Sequence, residues 1–152
     1  MAIKREANPQ LAESLGLEWL GTPDQRSHLL QNSDFVVIAA SASGIDRPFN
    51  ADDFQQMRST AYLVNVARGA WVDELALVRA LQLDWIAGAG LDVFAQEPLD
   101  SRSPLLQENL NLILTPHLGG RTDTGYAGIV RAIAKNIQLV SQGKLPANLI
   151  NP

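Results

Sequence analysis

Short apolar runs recur along the chain, and most are followed by a stretch in which apolar residues return every three or four positions. Residues 34–40 are almost continuously apolar and β-branched at their centre, a pattern typical of a strand covered on both faces. Similar runs predict further strands over residues 1–3, 17–20, 61–66, 85–91 and 110–114. The intervening spacing predicts helices over residues 8–16, 22–32, 51–58, 73–81 and 121–142, with a helical turn at 103–107.

This alternation of strand and helix indicates βαβ units, which build a parallel sheet with helices on both faces. The predicted fold class is therefore α/β. Ligands bind to such sheets at the carboxyl ends of the strands. Arg68, Asp92, Glu97 and His117 all fall just beyond three consecutive predicted strands. That edge of the sheet is therefore the candidate functional site.

These residue types suit substrate binding and proton transfer. The Arg68 guanidinium offers a planar fork for a carboxylate, although a surface arginine paired with Asp73 would look the same in sequence. His117 lies in a proline- and glycine-flanked loop, where it is either a general acid–base or a solvated residue. If the strands before Glu97 and His117 are parallel neighbours, the carboxylate can stabilise the imidazolium. His28, in a surface helix, is expected to be structural.

Composition narrows the classes of protein that fit. The 152 residues are 46% apolar and 18% charged, and the formal charge of −4 argues against a nucleic acid or an anionic membrane as partner. The absence of cysteine excludes a disulfide framework and a thiolate nucleophile or metal site, and no metal site is predicted. Without a long apolar run or a signal segment, a soluble cytoplasmic protein is expected.

The segment Gly88-Ala89-Gly90 does not qualify as a dinucleotide-binding fingerprint. That fingerprint needs a small third residue and a helix directly after it, whereas Val93 holds the third position and no helix is predicted there. No other place among the 11 glycines fits the pattern. The sequence therefore contains no glycine-rich loop that could cradle a pyrophosphate.

Four motifs nevertheless occur in a specific order and spacing. They are Asn65-Val66-Ala67-Arg68-Gly69, Gly88-Ala89-Gly90-Leu91-Asp92-Val93-Phe94, Glu97-Pro98 and Thr115-Pro116-His117. Together they resemble the D-isomer-specific 2-hydroxyacid dehydrogenases. The resemblance covers most of the chain and implies a Rossmann-type coenzyme domain. It also implies NAD- or NADP-dependent interconversion of 2-oxo acids and D-2-hydroxy acids.

The resemblance also implies roles for single residues. Arg68 would hold the substrate carboxylate and carbonyl, His117 would donate the proton, and Glu97 would keep His117 protonated. Asp92 would contact the nicotinamide carboxamide. Backbone groups lining the cofactor would come from Val66, Ala67, Gly119 and Gly120. In this division the cofactor carries out the redox step while the protein orients and polarises the substrate.

Two short segments depart from the family pattern. Ser41 and Ser43 stand where the family commonly has a proline-leucine-threonine pattern, and they could still bond to the cofactor. Lys4 and Arg5 occupy the region where an acidic residue would bind the adenosine ribose. Basic residues there favour a 2′-phosphate, so NADP is expected over NAD, unless the two residues simply form an exposed turn.

The resemblance further implies a strand, a glycine-rich loop and a helix before Ile3, and a separate substrate-binding domain, all missing from this sequence. We therefore expect an incomplete Rossmann-type sheet: a truncated coenzyme domain over residues 1–120, then an amphipathic helix and tail over 121–152. The missing strand is central in the usual strand order. Either the sheet closes up with altered order, another chain fills the gap, or the chain is a fragment of a longer protein.

Two functional hypotheses remain. In the first, the chain is part of an NAD(P)-dependent 2-hydroxyacid dehydrogenase and acts on a small 2-oxo or 2-hydroxy acid. In the second, it is a non-catalytic remnant or interaction module without tight cofactor binding. The apolar stripe of the last helix would suit a homo-oligomer in either case. A Rossmann-fold methyltransferase would not account for Arg68, Glu97 and His117 together.

Overall fold

The computed structural model describes residues 1–41 and 48–149. These residues fall into two compact units, which divide between Pro116 and His117. Strands of the first unit are β1 (Ala2–Ile3), β2 (Leu20–Gly21), β3 (Phe35–Ile38), β4 (Tyr62–Asn65), β5 (Gly88–Leu91) and β6 (Leu112–Leu114). Its α-helices are α1 (Pro9–Ser14), α2 (Arg26–Gln31), α3 (Ala51–Gln56) and α4 (Glu74–Gln82). Short 3-10 turns cover Pro23–Gln25, Gly69–Trp71 and Pro104–Leu106.

The strands from β3 to β6 pair in sequence order and form one parallel sheet. Their register aligns Ile38 with Asn65, Asn65 with Leu91, and Leu91 with Leu114, so the carboxyl ends of all four strands lie at one edge. The strands β1 and β2 form a separate parallel pair. A parallel sheet flanked by helices confirms the α/β, Rossmann-type prediction. Among the described strands, the sheet does not close up across the gap.

Polar caps start the helices where the sequence predicts. The Asn8 side chain accepts a hydrogen bond from the Leu11 N–H at 2.7 Å, and Pro9 takes the first helical position of α1. Asp73 caps α4 by accepting hydrogen bonds from the N–H groups of Leu75 and Ala76, both at 3.0 Å.

The strands β2 and β5 each begin three residues later than predicted, because the helix before each of them ends in a turn with a left-handed residue. Gly16 is left-handed with φ 64°, and the Leu17 N–H donates back to the Ala12 carbonyl. Likewise Asp84 is left-handed with φ 54°, and the Trp85 N–H donates back to the Ala80 carbonyl. Residues 17–19 and 85–87 therefore belong to helix ends and their connections rather than to β2 and β5.

One face of the sheet is the core of the first unit. Apolar residues of α2, α3 and α4 pack there against alternate residues of the strands, and the largest fully buried ones include Leu30, Phe54, Leu63 and Leu77. On the opposite face, Phe35 is 66% exposed and Val37 is 58% exposed. The prediction that residues 34–40 are covered on both faces is therefore wrong, because the described helices of the first unit leave Phe35 and Val37 exposed.

The second unit consists mainly of one long helix, α5 (Asp123–Ser141), whose start is capped by Thr122. None of its residues is buried. Its exposed apolar side chains are Tyr126, Ile129, Val130, Ile133, Ile137 and Val140. Neither α5 nor any other helix within the described ranges combines the length and apolarity that crossing a membrane requires.

Candidate active site

The loop after β4 presents Arg68 to solvent. Arg68 is exposed, and its Nη1 donates a hydrogen bond to the Ala67 carbonyl at 2.6 Å. Across residues 1–41 and 48–149 it makes no ion pair with a carboxylate. The alternative pairing with Asp73 does not form, because that carboxylate caps α4. The guanidinium is thus available to an external anion.

The loop after β5 carries two acids in different environments. Asp92 is buried, and its Oδ1 accepts a hydrogen bond from the Thr115 hydroxyl at 2.5 Å. Glu97 is exposed, and its Oε1 accepts a hydrogen bond from the Phe94 N–H at 3.0 Å. The Asp92 carboxylate therefore binds the residue that follows β6, and the Glu97 carboxylate binds the backbone of its own loop.

The loops after β4 and β5 pack directly on each other. A Cβ atom added to Gly69 would lie 1.8 Å from the Phe94 carbonyl carbon and 2.0 Å from its oxygen, so only glycine permits this approach. The Ala95 N–H also donates to the Glu74 carboxylate at 2.7 Å, which ties this loop to the start of α4. The structure thereby brings the segments that bear Arg68, Asp92 and Glu97 to the same edge of the sheet.

The strands that precede Glu97 and His117 are parallel neighbours, as the expected pairing of these residues requires. The pairing itself stays a prediction. His117 is the first residue of the second unit and has φ 54°, a left-handed conformation that is uncommon for residues other than glycine. Backbone strain of this kind concentrates at functional sites. Gly119 and Gly120, which follow it, are exposed.

The remaining predicted cofactor residues are distributed more widely. Val66 is half exposed and Ala67 is buried, both in the loop that carries Arg68. Ser41 is exposed three residues beyond β3, and Ser43 lies outside the described residues. Arg5 is exposed in the bend after β1, which belongs to the separate two-stranded pair. The four-stranded sheet itself therefore does not bring Arg5 to the edge occupied by Arg68.

The rejected glycine motif is indeed no phosphate loop, because Gly88 and Gly90 both lie inside β5. Further along the same connection, hydrogen bonds from the Arg102 side chain, and then from its backbone N–H, lower the pKa of the Asp100 carboxyl. Arg102 thus differs from Arg68, since its charge is already matched by a carboxylate at 3.2 Å.

Two residues that organise this edge, Asn65 and Thr115, have no role predicted from the sequence. Asn65 is fully buried and hydrogen-bonded to the loop that carries Arg68, and Thr115 holds Asp92. A polar residue at the end of an otherwise apolar strand is the signal that could have identified both. Such residues must find hydrogen-bond partners, and the adjacent loop supplies them.

Comparison with known proteins places this geometry in a family. The family model for the NAD binding domain of D-isomer specific 2-hydroxyacid dehydrogenases matches residues 3–119. Glyoxylate reductase from Thermococcus kodakarensis is 37% identical over 148 residues, which cover 97% of this chain and 43% of the relative. Glyoxylate/hydroxypyruvate reductase B from Escherichia coli O1:K1 / APEC is 42% identical over 125 residues, covering 82% and 38%. The chain thus spans less than half the length of these relatives.

A solved structure agrees with the sequence matches. The D-isomer specific 2-hydroxyacid dehydrogenase from Xanthobacter autotrophicus Py2, in complex with NADPH and MES, superposes with a TM-score of 0.71 at 30% identity. The match covers 99% of this chain and 60% of that one. By its family match, its relatives and its fold, the chain belongs to the D-isomer specific 2-hydroxyacid dehydrogenase family.

Proposed function

We propose that this chain contributes the substrate-anchoring and proton-transfer residues of an NAD(P)-dependent oxidoreductase acting on 2-oxo acids and D-2-hydroxy acids. The main support is the packing of Gly69 on the Phe94 backbone, which gathers the loops bearing Arg68, Asp92 and Glu97. Relatives named as glyoxylate and hydroxypyruvate reductases make small 2-oxo acids the preferred substrate class.

In the proposed reaction each residue has a separate task. Arg68, which has no carboxylate partner in the described chain, binds the substrate carboxylate through its planar fork. His117 donates a proton to the substrate carbonyl oxygen, and Glu97 stabilises the imidazolium that precedes this transfer. The dihydronicotinamide, when bound, supplies the hydride. The backbone N–H of Thr115 donates a hydrogen bond to the Leu91 carbonyl, at the end of β5. His117 follows Thr115 after a single residue, Pro116, and this closeness in the chain supports its assignment.

The residues fit the two ends of the cofactor unequally. For the nicotinamide end, we propose the Asp92 carboxylate and the backbone at Val66, Ala67, Gly119 and Gly120. For the pyrophosphate, the sequence offers no glycine-rich turn at a helix start, where backbone N–H groups would bind it. We therefore expect the isolated chain to bind NADPH more weakly than micromolar.

We also propose a preference for NADP over NAD. Arg5 is exposed directly after β1 and carries the positive charge that a 2′-phosphate requires. The NADPH complex of the Xanthobacter autotrophicus relative supports this choice. A change of Arg5 to Asp should move the preference toward NADH.

The second candidate, a non-catalytic interaction module, is favoured by a different observation. The exposed sheet face around Phe35 and Val37 and the exposed stripe of α5 are both apolar. Apolar surfaces of this kind mark contact sites for other protein segments. A module of this kind would need neither Arg68 nor His117.

A chimera separates the two candidates. In it, this chain replaces the aligned region of Thermococcus kodakarensis glyoxylate reductase, and NADPH oxidation is followed with glyoxylate. We expect His117→Ala to lower kcat/KM by about 100-fold or more, because general acid catalysis alone contributes factors of this size. Arg68→Gln should also lower kcat/KM, because it removes the planar fork that binds the substrate carboxylate. Arg102→Gln is the matched control, since its charge is already neutralised by Asp100.

Two results would count against the dehydrogenase proposal. One is a His117→Ala chimera that keeps its rate within about tenfold of the unsubstituted chimera, well below the usual contribution of a general acid. The other is a folded chimera that binds NADPH but does not oxidise it. The first result would remove His117 as the proton donor, and the second would favour the interaction module.

A further inference from the structure

Asn65 is an unusual residue for its position at the end of β4. It is fully buried, whereas Tyr62 and Val64 on the same strand are partly exposed. A buried amide costs free energy unless its donor and acceptor are both satisfied. Its presence therefore needs a structural or functional reason.

Both ends of the Asn65 amide bind the loop that follows. The Oδ1 atom accepts a hydrogen bond from the Ala67 N–H at 3.1 Å. The Nδ2 atom donates to the Arg68 carbonyl at 2.9 Å. These two bonds close a tight turn directly before the Arg68 guanidinium.

The backbone of Asn65 connects the same turn to the next strand. Its carbonyl accepts a hydrogen bond from the Asp92 N–H at 3.0 Å, and Asn65 pairs with Leu91 in the register of β4 and β5. One residue beyond the turn, Gly69 packs on the Phe94 backbone. Asn65 thus lies at the junction between the Arg68 loop and the loop that carries Asp92 and Glu97.

We propose that Asn65 is a positioning residue, which fixes the backbone of Arg68 so that the guanidinium has one defined place relative to Asp92. The inference deepens the proposed function and rests on it for its effect on substrate binding. An amide meets both demands, whereas an ionised aspartate offers acceptors alone and would place a carboxylate against the Arg68 carbonyl.

The positioning effect is measurable on the whole chain without any ligand. In the unsubstituted chain, NMR order parameters of the Ala67 and Arg68 amides should be about 0.85, as in rigid backbone. In Asn65→Asp they should fall below about 0.6, while those of Leu63 and Leu91 stay unchanged. Asn111→Asp is a matched control, because that side chain also donates to a backbone carbonyl, at the opposite end of the sheet.

A ligand readout distinguishes positioning from general stability. Oxamate, a non-reacting analogue of a 2-oxo acid, should shift the Arg68 Nε–Hε resonance in the unsubstituted chain. Asn65→Asp should weaken this response by about tenfold or more, because small displacements of a binding group are costly. Asn111→Asp should leave it unchanged.

The order parameters test the positioning role of Asn65, and the oxamate response tests the proposed function. A folded Asn65→Asp chain with unchanged order parameters at Ala67 and Arg68 would overturn the positioning role. If that variant does not fold, hydrogen exchange of the unsubstituted chain decides, since an unprotected Ala67 amide would equally overturn it. If oxamate gives no response in the unsubstituted chain, the proposed function fails, and the order parameters still decide the role of Asn65.

Discussion

The two faces of the four-stranded sheet carry similar residues but have different environments. On one face, Val36, Ile38 and Leu63 are buried beneath α2, α3 and α4. On the other, Phe35, Val37 and Ile113 are largely exposed, although Phe35 and Val37 alternate with buried residues along β3. Hydrophobicity therefore shows which faces can be buried, whereas the helices actually present decide which one is.

The candidate site and the open face of the sheet also differ in the contacts that hold them. The loops at the carboxyl edge are held by buried polar groups and by the contact of Gly69 with Phe94. On the open face, the described residues show one comparable contact, the stacked rings of Phe35 and Tyr62 with centroids 5.5 Å apart. The first unit is thus more tightly specified where we place the chemistry than on its open face.

The largest contrast should come from truncating one residue on each face. Leu63→Ala should destabilise the first unit by about 2–5 kcal/mol, because it leaves a cavity in the core. Val37→Ala on the open face should cost less than about 0.5 kcal/mol. Urea denaturation followed by tryptophan fluorescence reports this unit, since all three tryptophans lie in it. Comparable losses would show that the second face is covered in solution.

A second contrast uses two glycines. Gly69→Ala forces the two site loops apart and should cost about 1–3 kcal/mol, as overpacking does. Gly90→Ala has nothing within 4 Å of its new Cβ and should be neutral or stabilising by up to about 1 kcal/mol. The same denaturation experiment measures both. A neutral Gly69→Ala would contradict the close packing of the loops.

The smallest expected effect is on the open face itself. Phe35→Leu removes the ring that stacks on Tyr62, and the coupling between the two rings should be about 0.5–1.5 kcal/mol. A double-mutant cycle with Tyr62→Leu isolates this coupling. No measurable coupling would mean that the stacking of Phe35 on Tyr62 contributes nothing to stability.

Much of the fold could be predicted from local patterns. The apolar runs identify the strands from β3 to β6, and Asn8, Asp73 and their partners mark helix starts, because both signals lie within a few residues of sequence. The first residues of β2 and β5 were harder to predict, since left-handed residues such as Asp84 extend the turns that end the preceding helices. Exposure of Phe35 was not predictable either, because burial depends on segments distant in sequence.

Only part of the candidate site could be predicted, because some of its features are local in sequence and others depend on contacts between distant segments. The motif positions of Arg68, Asp92 and Glu97 are readable because each follows a strand. The supporting contacts are not, because Asn65 and Thr115 act through hydrogen bonds that exist only after the loops fold together. The pairing of Glu97 with His117 stays a prediction.

The most direct measurement of the central claim maps which end of NADPH contacts the purified chain. Saturation-transfer difference NMR at millimolar NADPH distinguishes the nicotinamide protons from the adenine protons. We predict stronger saturation of the nicotinamide protons and a dissociation constant weaker than micromolar. Dominant saturation of the adenine protons, or micromolar binding, would contradict the claim that this chain holds the chemical end of the site without the pyrophosphate cradle.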